Sequence, residues 1–136
     1  MNKVTFEVEV YTYQIDFVGH VSNIVYIQWM EIGRLKLLEA IGLPVAELIK
    51  SNIAPVLVET GIKYKKSVYI NDKITIDVWF SQLLNASAII EFRFYNANRE
   101  LVASGWQKGL FVNKDKMKVH RLTPEERSAF EKFLEK

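Results

Sequence analysis

The chain has 136 residues and no cysteine. That excludes disulfide staples, thiol nucleophiles and cysteine-ligated zinc, and fits an intracellular, cytoplasmic protein. There are only two histidines, His20 and His120, so no histidine-rich metal centre is expected, and no other cofactor is implied. No stretch approaches the roughly 20 consecutive apolar residues of a membrane span, because charges interrupt every candidate. The opening MNKVTFEVEV has no apolar signal-peptide region, so secretion is not expected. A net charge of +2 is too small to argue for nucleic acid as the main partner. The G-x-S-x-G elbow of serine hydrolases is missing. Repeats, low-complexity tracts and linkers are missing too, so residues 1–136 are expected to form one domain.

What is present is hydrophobic residues, 49% of the chain, enough for a proper core. Residues 4–13, VTFEVEVYTY, alternate apolar and polar side chains as a half-buried strand does. Residues 24–41 contain no proline and end at Gly42 and Pro44, which predicts a helix. Its apolar residues do not keep to one stripe, so protein should surround it on most sides. A short helix is expected near Pro44 to Lys50. From about Pro55 to Asn113 the chain reads as four strands in meander, with turn residues at 71–73 and 96–100. Pro124 then opens a polar helix. The order predicts an α+β protein, an antiparallel sheet wrapped around one central helix.

Small and polar residues crowd the stretch QIDFVGHVSNIVYIQWMEIGR, residues 14–34, just ahead of and into that helix. The spacing of Asp16, Gly19, His20, Val21, Asn23, Tyr26, Trp29, Glu31 and Arg34 resembles the first motif of the hotdog-fold acyl thioesterases, the 4-hydroxybenzoyl-CoA thioesterase-like family. IKYKKSVYINDKITIDVWF and VASGWQKGLFVNKDKMK resemble later strands of the same family, in the same order, so the resemblance covers nearly the whole chain. Gln14 and Ile15 depart from the acidic-Thr pair common before the aspartate, and Ser67 stands where proline is usual. The resemblance implies hydrolysis of an acyl-CoA or acyl-carrier-protein thioester. It also implies a homo-oligomer, at least a dimer and more often a tetramer, with acyl pockets lined by both chains.

The chemistry needs a nucleophile or base and a place for negative charge on the thioester carbonyl oxygen. By the resemblance Asp16 takes the first role, and a carboxylate is capable of either form of it. The start of the helix near Asn23 offers backbone N–H groups and the positive end of a helix dipole, the makings of an oxyanion hole. Asn23 alternatively caps the helix. Asp16 precedes Asn23 by too many residues to be that helix's own cap. Gly19 would let the backbone turn sharply and approach substrate. His20 reads as a structural or positioning residue rather than a base, and Val21 and Tyr26 as pocket wall. Glu31 and Arg34 read as an ion pair one turn apart, with Glu31 the reserve catalytic carboxylate. Hydratases of this fold use D-x-N-P-x-H, which differs from the Asp16–His20 spacing.

Two basic groups are candidates for the carrier's phosphates. Lys63, Lys65 and Lys66 share a presumed strand; Lys108, Lys114, Lys116, Lys118 and Arg121 gather late, with only Asp115 opposing. Either group serves equally well as a solvated, solubilising surface. The competing function is a hotdog protein that binds an acyl chain, or scaffolds an assembly, without hydrolysing anything.

Overall fold

The computed structural model describes residues 2–136 and, of these, every side chain but those at positions 45 and 49. The chain runs through β1 (Val4–Glu9), a 3-10 turn (Thr12–Gln14), α1 (Asn23–Ala40), α2 (Val45–Lys50), β2 (Ile53–Tyr64), β3 (Lys73–Leu83), β4 (Ser87–Tyr95), β5 (Leu101–Asn113), β6 (Lys118–Val119) and α3 (Pro124–Glu131). It is the expected α+β hotdog fold, a curled antiparallel sheet around α1.

The sheet order is β1-β3-β4-β5-β2, with β6 added to the far end of β5. Only β3, β4 and β5 form a meander. The four-strand meander read from the sequence fails at β2, because β1 takes the edge of β3 that β2 would have needed. β2 crosses instead to the outer edge of β5 and becomes an edge strand, Ile53 facing Asn113 at one end and Tyr64 facing Ala103 at the other. The β1 strand ends at Glu9, short of the predicted Tyr13, where Val10 is tied to the turn before β3 by backbone bonds to Asn71 and Asp72.

Alternation sends Ile74, Ile76, Val78 and Phe80 of β3 and Ile90, Phe92 and Phe94 of β4 into the core, as their period of two predicts. α1 seats Val25, Tyr26, Trp29, Met30, Gly33, Leu37 and Leu38 against them. Gly33 is the closest approach: a Cβ there would stand 2.9 Å from Val78 Cγ2, so only glycine lets the helix lie this low. Within one chain the helix is covered on one side, not most sides; Ile24, Ile27, Ile32 and Leu35 stay exposed.

One outward position behaves differently from the strand pattern. Trp79 is buried on the outer face, its indole N–H donating to Glu135 at 3.1 Å with Lys3 and Arg93 over its ring. The cause is the C-terminal tail, which leaves α3 at Glu131 and pairs with β3: Phe80 N–H donates to Phe133 O at 2.9 Å and Glu135 N–H to Phe80 O at 2.8 Å. Leaving the helix early costs α3 its last turn and covers an aromatic that would otherwise face water. Phe130 of α3 fills the gap between Phe80 and Phe111, with ring centroids 5.2 and 5.3 Å away.

Candidate active site

Residues 14–22 form a narrow loop closed at its base. Ile15 bridges Val21, Asp16 N–H donates to His20 O at 2.8 Å, and Ser22 N–H donates to Gln14 O at 2.9 Å. Gly19 sits at the tip with φ +86°, a conformation that penalises any side chain. Nothing lies within 4 Å of where its Cβ would be, so the backbone angle rather than crowding demands glycine. The loop is strapped to the segment joining β2 and β3: Val21 N–H donates to Val68 O at 2.9 Å, and His20 bridges Tyr69 with the two rings edge to face at 5.2 Å.

Asp16 organises this loop through one oxygen. Its Oδ1 accepts the backbone N–H of Val18 at 3.0 Å and of His20 at 3.1 Å. Oδ2 takes no hydrogen bond among the described residues, and the residue is solvent-exposed. A carboxylate fixed by one oxygen with the other unengaged is positioned for attack or for proton abstraction.

The helix beyond it is poised for negative charge. Ser22, not Asn23, holds the N-cap of α1; it makes no side-chain capping bond, and no acidic residue stands in the first turn. The positive end of this 18-residue helix therefore has neither a side-chain cap nor an acidic residue of its own first turn opposing it. Asn23 is the first helical residue, so the capping alternative read from the sequence does not hold.

These groups share one open cleft of about 270 Å³, lined by Asp16, His20, Val21, Asn23, Tyr26 and the run Tyr64–Val68. Of the eight residues nominated from the sequence, seven (Asp16, Asn23, His20, Val21, Tyr26, Lys65 and Lys66) line it; Gly19 shapes the turn without lining the cleft. Sequence reasoning missed Tyr64, Ser67 and Val68. Tyr64 had one available signal, its place just before Lys65 and Lys66.

Tyr26 is the cleft's buried wall, its ring edge-on to Tyr64, Trp29 and Phe94 at 5.1, 5.4 and 5.7 Å. Burial, helped by the neighbouring Tyr64, pushes its phenol up to about 12, so it stays neutral at any working pH. The basic wall is uneven. Lys66 pairs with Glu100, and that hydrogen bond holds the Glu100 carboxyl below the usual range. Lys65 has no carboxylate partner among the described residues.

Glu31 does not reach the cleft; it pairs with Arg34, whose Nη1 also lies 3.4 Å from Gln107 Oε1. His120 pairs with Glu126 at 2.9 Å. Among the described residues no group of three His, Asp or Glu is placed to hold a metal, and no helix is long and apolar enough to cross a membrane.

Comparison with known proteins gives a consistent result. Residues 10–133 match the family model described as the thioesterase-like superfamily. YneP of Bacillus subtilis (strain 168), whose name proposes an acyl-CoA thioesterase, is 25% identical over 129 residues, 93% of this chain and 94% of that protein. A DHNA-CoA thioesterase from Staphylococcus aureus superimposes with a TM-score of 0.89 at 23% identity, covering 97% of this chain and 91% of that one. A gentisyl-coenzyme A thioesterase does so with a TM-score of 0.81 at 26% identity, covering 95% and 99%.

Proposed function

The chain belongs to the thioesterase-like superfamily, and on that premise we propose that it hydrolyses acyl-CoA thioesters, with Asp16 as the catalytic carboxylate. The observation that carries the assignment is the split duty of Asp16: Oδ1 is held by two backbone N–H groups while Oδ2 is unengaged at the cleft. The thioester carbonyl oxygen sits toward the first turn of α1, where the N–H of Asn23 and the helix dipole oppose the charge that develops on it. One such donor is worth about 2.7–4 kcal/mol in the transition state.

Asp16 acts in one of two ways in this geometry. As a base it takes a proton from water while the water oxygen bonds to the acyl carbon; the C–S bond then breaks and the thiolate is protonated. As a nucleophile it forms an acyl anhydride with release of the thiolate, which is protonated, and water then adds at the aspartyl carbonyl, so that the product acid leaves with an Asp16 oxygen and the water oxygen stays on Asp16. A single turnover in ¹⁸O-water separates them, because only the nucleophile route leaves label in Asp16. Val21 and Tyr26 form acyl wall, Gly19 and His20 hold the loop, and Lys65 and Lys66 face the carrier.

The reading includes one hotdog domain over residues 1–136 working in the cytoplasm as a homo-oligomer. Support for association comes from β2, an unpaired edge on which Val56, Leu57 and Val58 are all exposed, and from the uncovered apolar side of α1. Two copies joined edge to edge along β2 make a symmetric dimer with a continuous sheet, and stacking of dimers gives a tetramer.

The test is a hydrolysis screen with purified protein over aliphatic and aromatic acyl-CoA and acyl-carrier-protein thioesters. Turnover of at least one acyl-CoA well above the uncatalysed rate is expected. No turnover with any substrate, beside measurable binding of acyl-CoA, would replace the hydrolase by an acyl-binding protein.

A further inference from the structure

The outer face of the sheet carries another cavity, of about 240 Å³, on the reverse side of the strand end that walls the active cleft. Tyr64 lines the cleft and its neighbour Lys63 lines this cavity, as alternation along β2 requires. The two sites share no lining residue. Ser104 of β5 lies at the centre of the outer one, paired directly with Lys63 of β2 on one side and with Arg93 of β4 on the other. Neighbouring strands stand about 4.8 Å apart, so the two cations flank the serine with about 10 Å between their strands.

These donors are little used inside the chain. Lys63 and the Ser104 hydroxyl make no hydrogen bond or ion pair among the described residues. Arg93 is held through Nη1, which donates to Phe92 O at 3.2 Å and lies 3.4 Å from Glu91 Oε2. Its Nε and Nη2 take no hydrogen bond among the described residues, and the Trp79 ring, 5.3 Å away, backs the guanidinium. Two cations against the single carboxylate of Glu91 leave one net positive charge at the cavity. That balance suits a carboxylate better than a phosphate dianion.

Trp106 supplies the apolar wall. Its indole folds across Gly61, where a Cβ would stand 2.4 Å from Trp106 Nε1, so the glycine is what seats the ring. The indole is thus fixed before any ligand arrives, yet the residue keeps 37% exposure. Another flat ring is the shape that stacks on it. The cavity has about eight times the volume of a water molecule. It falls below the roughly 300–1,000 Å³ of drug-sized sites, room for one ring and its charged group but not for coenzyme A.

We propose that the row Lys63–Ser104–Arg93, with Trp106 beside it, binds a small aromatic carboxylate of benzoate size. The carboxylate accepts from Lys63 Nζ, Ser104 Oγ and the unengaged N–H groups of Arg93, while the ring lies against the indole. Glu91 repels a second negative charge and so sets the preference for a monoanion.

The test is a titration of the ¹⁵N-labelled full chain with sodium benzoate, read through the indole N–H signals of its three tryptophans. Trp106→Phe and Trp79→Phe identify those signals. The Trp106 signal should shift saturably, with a Kd of about 1 mM or tighter. The Trp29 signal should stay in place, because that ring adjoins Tyr26 at the active cleft and reports binding there. Lys63→Ala, a change at an exposed side chain, should weaken binding about fivefold at an unchanged urea midpoint. Benzamide, which lacks the charge, and cyclohexanecarboxylate, which lacks the flat ring, should each bind at least about threefold more weakly. A Trp106 signal that does not move by about 20 mM benzoate overturns the proposal, since binding that weak is no site. So does a shift at Trp29 in its place, an unchanged Kd in Lys63→Ala, or equal affinity for either analogue.

Discussion

Replacing Gly33 by alanine adds one methyl group at the point where α1 rests on the sheet. That methyl would stand 2.9 Å from Val78 Cγ2, 3.1 Å from Phe92 Cε1 and 3.3 Å from Phe6 Cε1. Val78 and Phe92 are fully buried, so neither can swing into solvent to make room. Overpacking of a tight core costs about 1–3 kcal/mol, and two ring edges with a fixed methyl put this case at about 2–3 kcal/mol. Alanine's better helix propensity returns about 1 kcal/mol. The net expectation is a loss of about 1–2 kcal/mol, which lowers the urea midpoint by about 1 M at the slopes usual for small proteins. Wild type and variant must be compared at equal protein concentration, since association adds to apparent stability. The helix that lifts also carries Asn23 and Tyr26, so kcat should fall with stability. A Gly33→Ala protein as stable as wild type, or more so, would mean that propensity outweighs contact and that α1 does not lie this close to β3 and β4.

Asn23 acts through its main chain in this account, so Asn23→Ala should lower kcat by no more than about fivefold, far less than a change at Asp16; an equal loss with intact folding would assign its side chain a direct role. Tyr26 has its phenol pushed from 10.0 to about 12 by burial and by Tyr64, so its neutral form stabilises the fold. That contribution is complete below pH 10 and is lost as pH rises through about 12. Between pH 9 and 11.5 the wild type should lose about 2 kcal/mol more stability than Tyr26→Phe, measured by urea unfolding, in which lysine titration is common to both. Identical losses would mean that the phenol is not buried as described.

The sequence carries the site and the fold unequally. Asp16, Gly19, His20, Val21, Asn23 and Tyr26 were legible because they lie within eleven consecutive positions, on one loop and the first turn of one helix, where local spacing fixes geometry. Tyr64, Ser67 and Val68 come from the far end of β2, and nothing local says which strand end meets the helix. Strand existence followed from period-two alternation in β3 and β4, but the order β5-β2 did not, since it depends on which edge β1 leaves free. For the same reason the two lysine groups looked interchangeable in the sequence and lie at opposite ends of the sheet in the fold. Period-two alternation puts Trp79 on the outer face, and its burial there is not legible locally because the tail that covers it lies more than fifty residues further along the chain.

The most direct measurement is single-turnover hydrolysis of the best acyl-CoA by Asp16→Asn. Asparagine keeps an Oδ1 to accept the N–H groups of Val18 and His20, so the loop and the cleft persist while the charge and the reactive oxygen are lost. Folding and coenzyme A affinity should match wild type, and the rate of the chemical step should fall at least about 100-fold. A variant that binds and turns over within a few-fold of wild type would contradict the account, because the carboxylate at the mouth of α1 would then take no part in the reaction.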